Sequence, residues 1–177
     1  MGIKFDPAEL MARLNELETM RDQYNREISS KKTARYQIET MLGTTKTKIT
    51  EQENKLKEYT NLKTSLETIK ADYSALETSM GSVVTELNNL ADGNSIGIIT
   101  HNLGNNMTTA AKKIGDITSI NGAIDEKITK IQTELTRLNA QKTTFEKDIA
   151  MNNQAIANYE ALVSNINAEI NSILEEL

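Results

Sequence analysis

His101 is the single imidazole of the 177-residue chain, and there is no Cys. One imidazole without thiolates cannot build a multi-His or Cys zinc site, so no metal ligands are expected. Its surroundings, His101-Asn102-Leu103-Gly104-Asn105, suit a turn or capping role better than a general base. The acidic pairs Glu51/Glu53 and Glu175/Glu176 have the setting of ordinary helix surface, and no Gly-rich loop leads into a Lys-Ser/Thr pair that would hold a phosphate. Asn106-Met107-Thr108 has the form of a glycosylation triplet, a pattern that chains of this size carry by chance. Tyr24, Tyr59, Tyr73 and Tyr159 recur within apolar stripes and read as core, not as a platform for stacking bases. No catalytic residue, cofactor or enzymatic activity is implied. The chemistry that residue type and spacing do support is helix association.

Every seventh residue from Ile96 reads Ile96, Leu103, Ala110, Ile117, Ile124, Ile131, Leu138, Phe145, Asn152, Tyr159, Ile166 and Ile173. The companion position runs from Thr100 through Met107, Ile114, Asn121, Ile128, Leu135, Lys142, Ile149, Ile156, Val163 and Ile170 to Leu177. Alternating spacings of four and three form the a/d seam of a coiled coil, because 3.5 residues per turn keeps one stripe facing a partner helix. Only Thr100, Asn121, Lys142 and Asn152 interrupt it.

An earlier segment supplies a partner within the same chain. Phe5-Asp6-Pro7-Ala8-Glu9-Leu10 is a dense helix start: Asp6 can cap, Pro7 suits the first helical position, Glu9 completes a capping box, and Phe5 and Leu10 can staple the entry. From there a seam runs Leu10, Leu14, Leu17, Arg21, Tyr24, Ile28, Lys31, Arg35, Ile38, Leu42, Thr45, Ile49, Gln52, Leu56, Tyr59. Apolarity then favours a change of phase to Leu62, Leu66, Ile69, Tyr73, Leu76, Met80, Val83, Leu87 and Leu90, a stammer that would overwind the supercoil. Gly43 reads as a weak point or bend, since the heptad continues across it. The one convincing break is Leu90-Ala91-Asp92-Gly93-Asn94-Ser95, where Gly93 can end one helix and Asn94 or Ser95 can cap the next.

A short connection between two long amphipathic helices makes antiparallel neighbours. The expected fold is therefore all-α, a long antiparallel helical hairpin or two-stranded coiled coil that can dimerise into a four-helix assembly. It forms a single domain over residues 1–177: arm 1 about 6–91, a turn about 92–95 with an uncharged tip to about 111, and arm 2 to 177. Folding about residues 97–98 brings the polar seam positions Thr45 and Gln52 opposite Lys142 and Asn152, a layer that would fix register or provide a hinge.

Composition narrows the partners. A net charge of −5 argues against nucleic acid, whose binders present a basic face. Lys31, Lys32 and Arg35 form the densest basic cluster of the first arm and read as a solvated helix face. No basic-then-apolar leader and no span-length apolar run is present, so the expectation is a chain that is cytoplasmic as synthesised, with any export following a route without a cleaved signal. Residues 93–111 carry no Asp, Glu, Lys or Arg but include Ile96, Ile98, Ile99, Leu103 and Met107. These five are the candidate partner-binding residues. Ile98 and Ile99 cannot both join the narrow seam, and uncharged apolar surface marks a protein or membrane contact.

Two helical arms of similar length about Asp92-Gly93-Asn94 resemble the bacterial helical-hairpin proteins of type VII secretion, the Trp-x-Gly superfamily and the longer hairpins that accompany secreted toxins. The chain has no Trp, so that family's signature turn is absent, and Tyr73-Ser74-Ala75-Leu76-Glu77 has its Tyr-x-x-x-acid spacing only in mid-arm. The resemblance implies a secretion partner or a targeting chaperone. Read from the residues themselves, the function is a non-enzymatic interaction protein whose hairpin binds a helical protein or itself. The alternative is a membrane-active helical protein that uses the tip.

Overall fold

The computed structural model describes residues 6–90 and 94–176, with the side chains of residues 94–96 outside the description. Two long helices, α1 (Pro7–Asn89) and α2 (Asn94–Glu176), pack against each other as an all-α helical hairpin. α1 starts where its capping chemistry places it. The Ala8 amide donates to Asp6 Oδ1 at 2.9 Å and the Leu10 amide to the Asp6 carbonyl at 3.1 Å, satisfying donors that the first turn leaves without helical partners. Phe5, Asp92 and Gly93, to which a staple and a turn were assigned, lie outside the described residues. α1 passes through Gly43 and Gly81 without interruption. Both helices are rich in Thr, whose hydroxyls donate to the carbonyl four residues back, as Thr19 does to Asn15 and Thr118 to Ile114. Those bonds keep the hydroxyls satisfied on an otherwise unfavourable helix former.

Contacts divide the hairpin into two units, Met1–Lys48 with Leu138–Leu177 and Ile49–Arg137. In the first, Leu14 and Leu17 interlock with Ile166, Ile170 and Ile173, and Leu10, Met20 and Tyr24 close over them. Tyr24 stacks on Tyr159 with ring centroids 5.7 Å apart. Leu17 and Leu138 are the most completely buried large side chains. Charged pairs rim this seam: Arg13–Glu169 and Lys32–Glu160, each at 2.9 Å, and Lys46–Glu146 at 3.9 Å. All are exposed, so each contributes at most about 1 kcal/mol and serves mainly to select register. Thr45 is buried, and Lys142 and Asn152 are half-buried, the Asn152 amide turning back to the Asp148 carbonyl at 2.9 Å.

The second unit centres on Ile49 and Met80 of α1 and Ala110, Ile117, Ile124 and Ile131 of α2. Here the structure corrects the expected change of phase. The buried and half-buried positions of α1 continue Leu56, Tyr59, Lys63, Leu66, Lys70, Tyr73, Glu77, Met80, Val84, Leu87, with spacings of three and four unbroken. Leu62, Ile69, Leu76 and Val83, assigned to the seam by apolarity, stand one residue off it and are exposed. There is no stammer. α2 presents a seam that never slips, and a neighbour that skipped a residue would lose register with all of it. The seam tolerates Lys63 and Lys70 because a lysine stem can lie on apolar surface while its ammonium reaches water or an acid. Lys63 Nζ does this, meeting Asp125 Oδ1 at 2.6 Å.

Candidate functional site

The residues with chemical capacity lie apart. His101 sits on α2 rather than in a turn, exposed, its Nε2 3.3 Å from the Asn105 amide nitrogen one helical turn on. The expected turn or capping role is therefore wrong: the Gly and Asn residues around it are carried within a regular helix. Lys32 and Arg35 are engaged inside the molecule, with Glu160 at 2.9 Å and the Asn153 side-chain oxygen at 3.1 Å. Arg13 bridges Glu16 and Glu169, and its hydrogen bonds to the first and then the second raise its pKa above the ordinary guanidinium value. Among the described residues no group of three His, Asp or Glu side chains could hold a metal ion, and no helix is long and apolar enough to cross a membrane.

The five candidate tip residues fall on the first turns of α2. Ile98 and Ile99 are 64% and 48% exposed, Leu103 and Met107 are half-buried, and the side chain of Ile96 is outside the described residues. Met107 reaches toward α1, where its terminal methyl lies 3.5 Å from the place a Cβ on Gly81 would occupy. Tyr73 and Glu77, the ends of the Tyr-x-x-x-acid motif, are half-buried on the seam.

A more extended feature runs along the second unit. With the α1 seam positions Lys63 and Lys70 named a and Leu66 and Tyr73 named d, Leu62, Ile69, Leu76 and Val83 occupy g, 48%, 43%, 51% and 43% exposed. On α2, with Asn121 at a and Ile124 at d, the g positions include Ile99 and Ile120, each 48% exposed. Contacts across the seam settle which flank is which. Lys63 meets Asp125 at 2.6 Å, and the Asn121 amide donates to Glu67 Oε1 at 2.6 Å; Glu67 and Asp125 are both e positions. In antiparallel helices e flanks e and g flanks g, so all six apolar g residues share the side opposite Glu67 and Asp125. Comparison with family models, with curated proteins and with solved structures finds no match to the chain. The apolar side is accordingly interpreted from its own chemistry. A shallow groove lined by Lys55, Glu58, Tyr59 and Leu62 opens on it. Its e counterpart carries Thr60, Glu67, Ser74, Thr118 and Asp125, with Gly81, Gly104 and Ala111 between them, and holds no large apolar side chain.

The apolar side was visible in the sequence and was misassigned. Leu62, Ile69, Leu76, Val83 and Leu90 recur every seven residues beside a second seven-residue series, Leu66, Tyr73, Met80 and Leu87. Together they pass as a complete a/d seam. Only the continuity of the α2 repeat shows that one series must face elsewhere.

Proposed function

We propose that this chain is a non-enzymatic interaction protein that binds a helical partner through its hairpin. The observation that carries the reading is the exposed g series of α1, Leu62, Ile69, Leu76 and Val83, directly beside the seam. An a/d stripe alone satisfies a two-stranded coiled coil, whereas a, d and g together make the wider face that a helix turns toward a bundle core. A helix laid along that series would extend the seam into such a core. If the likeness to type VII secretion hairpins holds, the partner is a secreted helical protein and the hairpin accompanies it. Placing a photo-crosslinking residue at Leu76, with Ser74 on the opposite flank as control, tests the reading. Crosslinks to a helical chain at 76 and none at 74 support it; equal yields at both positions, or none at either, count against it.

A second reading rests on the uncharged start of α2, where Ile98 and Ile99 are exposed. Insertion of those two side chains at a lipid surface would make the tip a membrane contact. Flotation with liposomes that falls at least about tenfold on changing both to Ser, with helicity unaltered, supports it; unchanged flotation, or none from the native chain, removes it.

A further inference from the structure

We infer that the occupant of the apolar side of the second unit is a second copy of this chain, packed face to face on it to close a four-helix core. The inference rests on the helix-binding reading above and names the partner.

The first ground is continuity with the seam. Leu62, Ile69, Leu76 and Val83 adjoin the d residues Leu66, Tyr73 and Met80, so a second layer of helices set on that side merges its contacts with the existing interior. The g position of α1 is apolar without interruption only from Leu62 onward: the earlier g positions, Arg13, Met20, Glu27, Ala34, Met41, Lys48 and Lys55, mix charged with apolar residues. The width of the apolar face therefore changes where a four-helix core would begin.

Charge is the second ground. Outside the apolar series, the c positions of α1 from 58 to 86 carry Glu58, Asp72 and Glu86 and no cation, all exposed. On the same side of α2, the g and c positions from 99 to 130 carry Lys113, Lys127 and Lys130 against the single acid Asp116. The side is thus acidic along one helix and basic along the other. A two-fold axis parallel to the helices sets α1 of each copy over α2 of the other at the same height. This brings Glu58 beside Lys127 and Lys130, and Asp72 within a helical turn of Lys113, at both rims. An axis across the helices would set acid on acid. Lipid is a poorer occupant, because the acidic rim would face an anionic surface. A helix of unrelated sequence would have to supply both rims separately.

Area is the third. Six side chains exposed by about half leave roughly 500 Å² of apolar surface per copy, so two copies bury about 1,000 Å² before rim contacts are added, the size at which specific interfaces begin.

Sedimentation equilibrium of the full chain tests the inference. A dimer is expected for the native protein, and a monomer of unchanged helicity for Ile69→Glu with Leu76→Glu. Rim exchange adds a readout that damage to the fold would not reproduce. Glu58→Lys, Asp72→Lys and Glu86→Lys together should weaken the dimer at least about tenfold at low salt, and Lys113→Glu, Lys127→Glu and Lys130→Glu added to them should restore it. A native monomer, or a dimer indifferent to both sets of changes, overturns the inference. A monomer that still crosslinks another helical protein through position 76 overturns it while leaving the helix-binding reading intact; a monomer with no such crosslink removes both.

Discussion

Met80 and Leu76 are four residues apart on α1, both large and apolar, and a seam drawn by apolarity alone treats them as equals. Their environments differ: Met80 is 8% exposed and Leu76 is 51% exposed. Truncating Met80 to Ala removes a buried thioether chain and leaves space between two helices. The loss should be about 2–3 kcal/mol, toward the lower end for buried large-to-small changes because two helices can close partly around the gap. Leu76→Ala removes a side chain already half in water, so its cost in the single chain should stay below about 1 kcal/mol. Urea denaturation followed by circular dichroism measures both, at a protein concentration low enough that self-association adds nothing to stability. Equal m-values for the two variants would show that the same structure is being unfolded. A gap of about 1 kcal/mol or more, with Met80→Ala the weaker protein, is the expected result. Equal losses, or the larger loss at Leu76, would reinstate the phase-shifted seam and remove the basis for an apolar g side.

Ile131, buried on α2, should cost about 2–3 kcal/mol on truncation to Ala, while Lys130→Ala beside it should cost less than about 0.5 kcal/mol, both by urea denaturation. Asp6→Ala removes the acceptor for the Ala8 amide and should lower stability by about 1 kcal/mol, with faster amide exchange confined to the first turn of α1. Asn121 is 6% exposed and its Oδ1 has no hydrogen-bond partner, so Asn121→Leu should stabilise the protein by about 1 kcal/mol, read as a higher denaturation midpoint. A loss of stability there would show that the Glu67 contact outweighs the orphaned oxygen.

The parts of the fold that local chemistry controls were legible. Asp6 and Pro7 mark the start of α1, and the positions from Leu10 to Tyr59 chosen from spacing are buried or half-buried without exception. α2 was legible for the same reason, its apolar residues being few, large and regularly spaced. The failure came where the two signals diverge. After Tyr59 the spacing leads to Lys63 and apolarity leads to Leu62, and only the partner helix decides between them. Sequence windows hold no partner helix. The position of His101 failed differently: Gly104, Asn105 and Asn106 read as punctuation, but a neighbouring helix stabilises segments whose intrinsic helix propensity is weak.

That divergence also explains why the function was harder to place than the fold. A residue that belongs to the intramolecular seam and one that belongs to an intermolecular contact obey the same chemistry, being large, apolar and seven residues from the next. Composition cannot separate them, and neither can a moment summed over a long helix, because both series lie on one half of the same cylinder. Burial separates them. Leu66, Tyr73, Met80 and Leu87 are covered by α2, and Leu62, Ile69, Leu76 and Val83 are not, although the two series alternate along one helix. A soluble helix whose only neighbour was α2 would have no use for the second series, and replacing it with Lys or Glu at g would improve solubility without loss of the seam. The presence of four large apolar residues there, with acids on one rim and lysines on the other, is the feature on which the proposed helix contact rests.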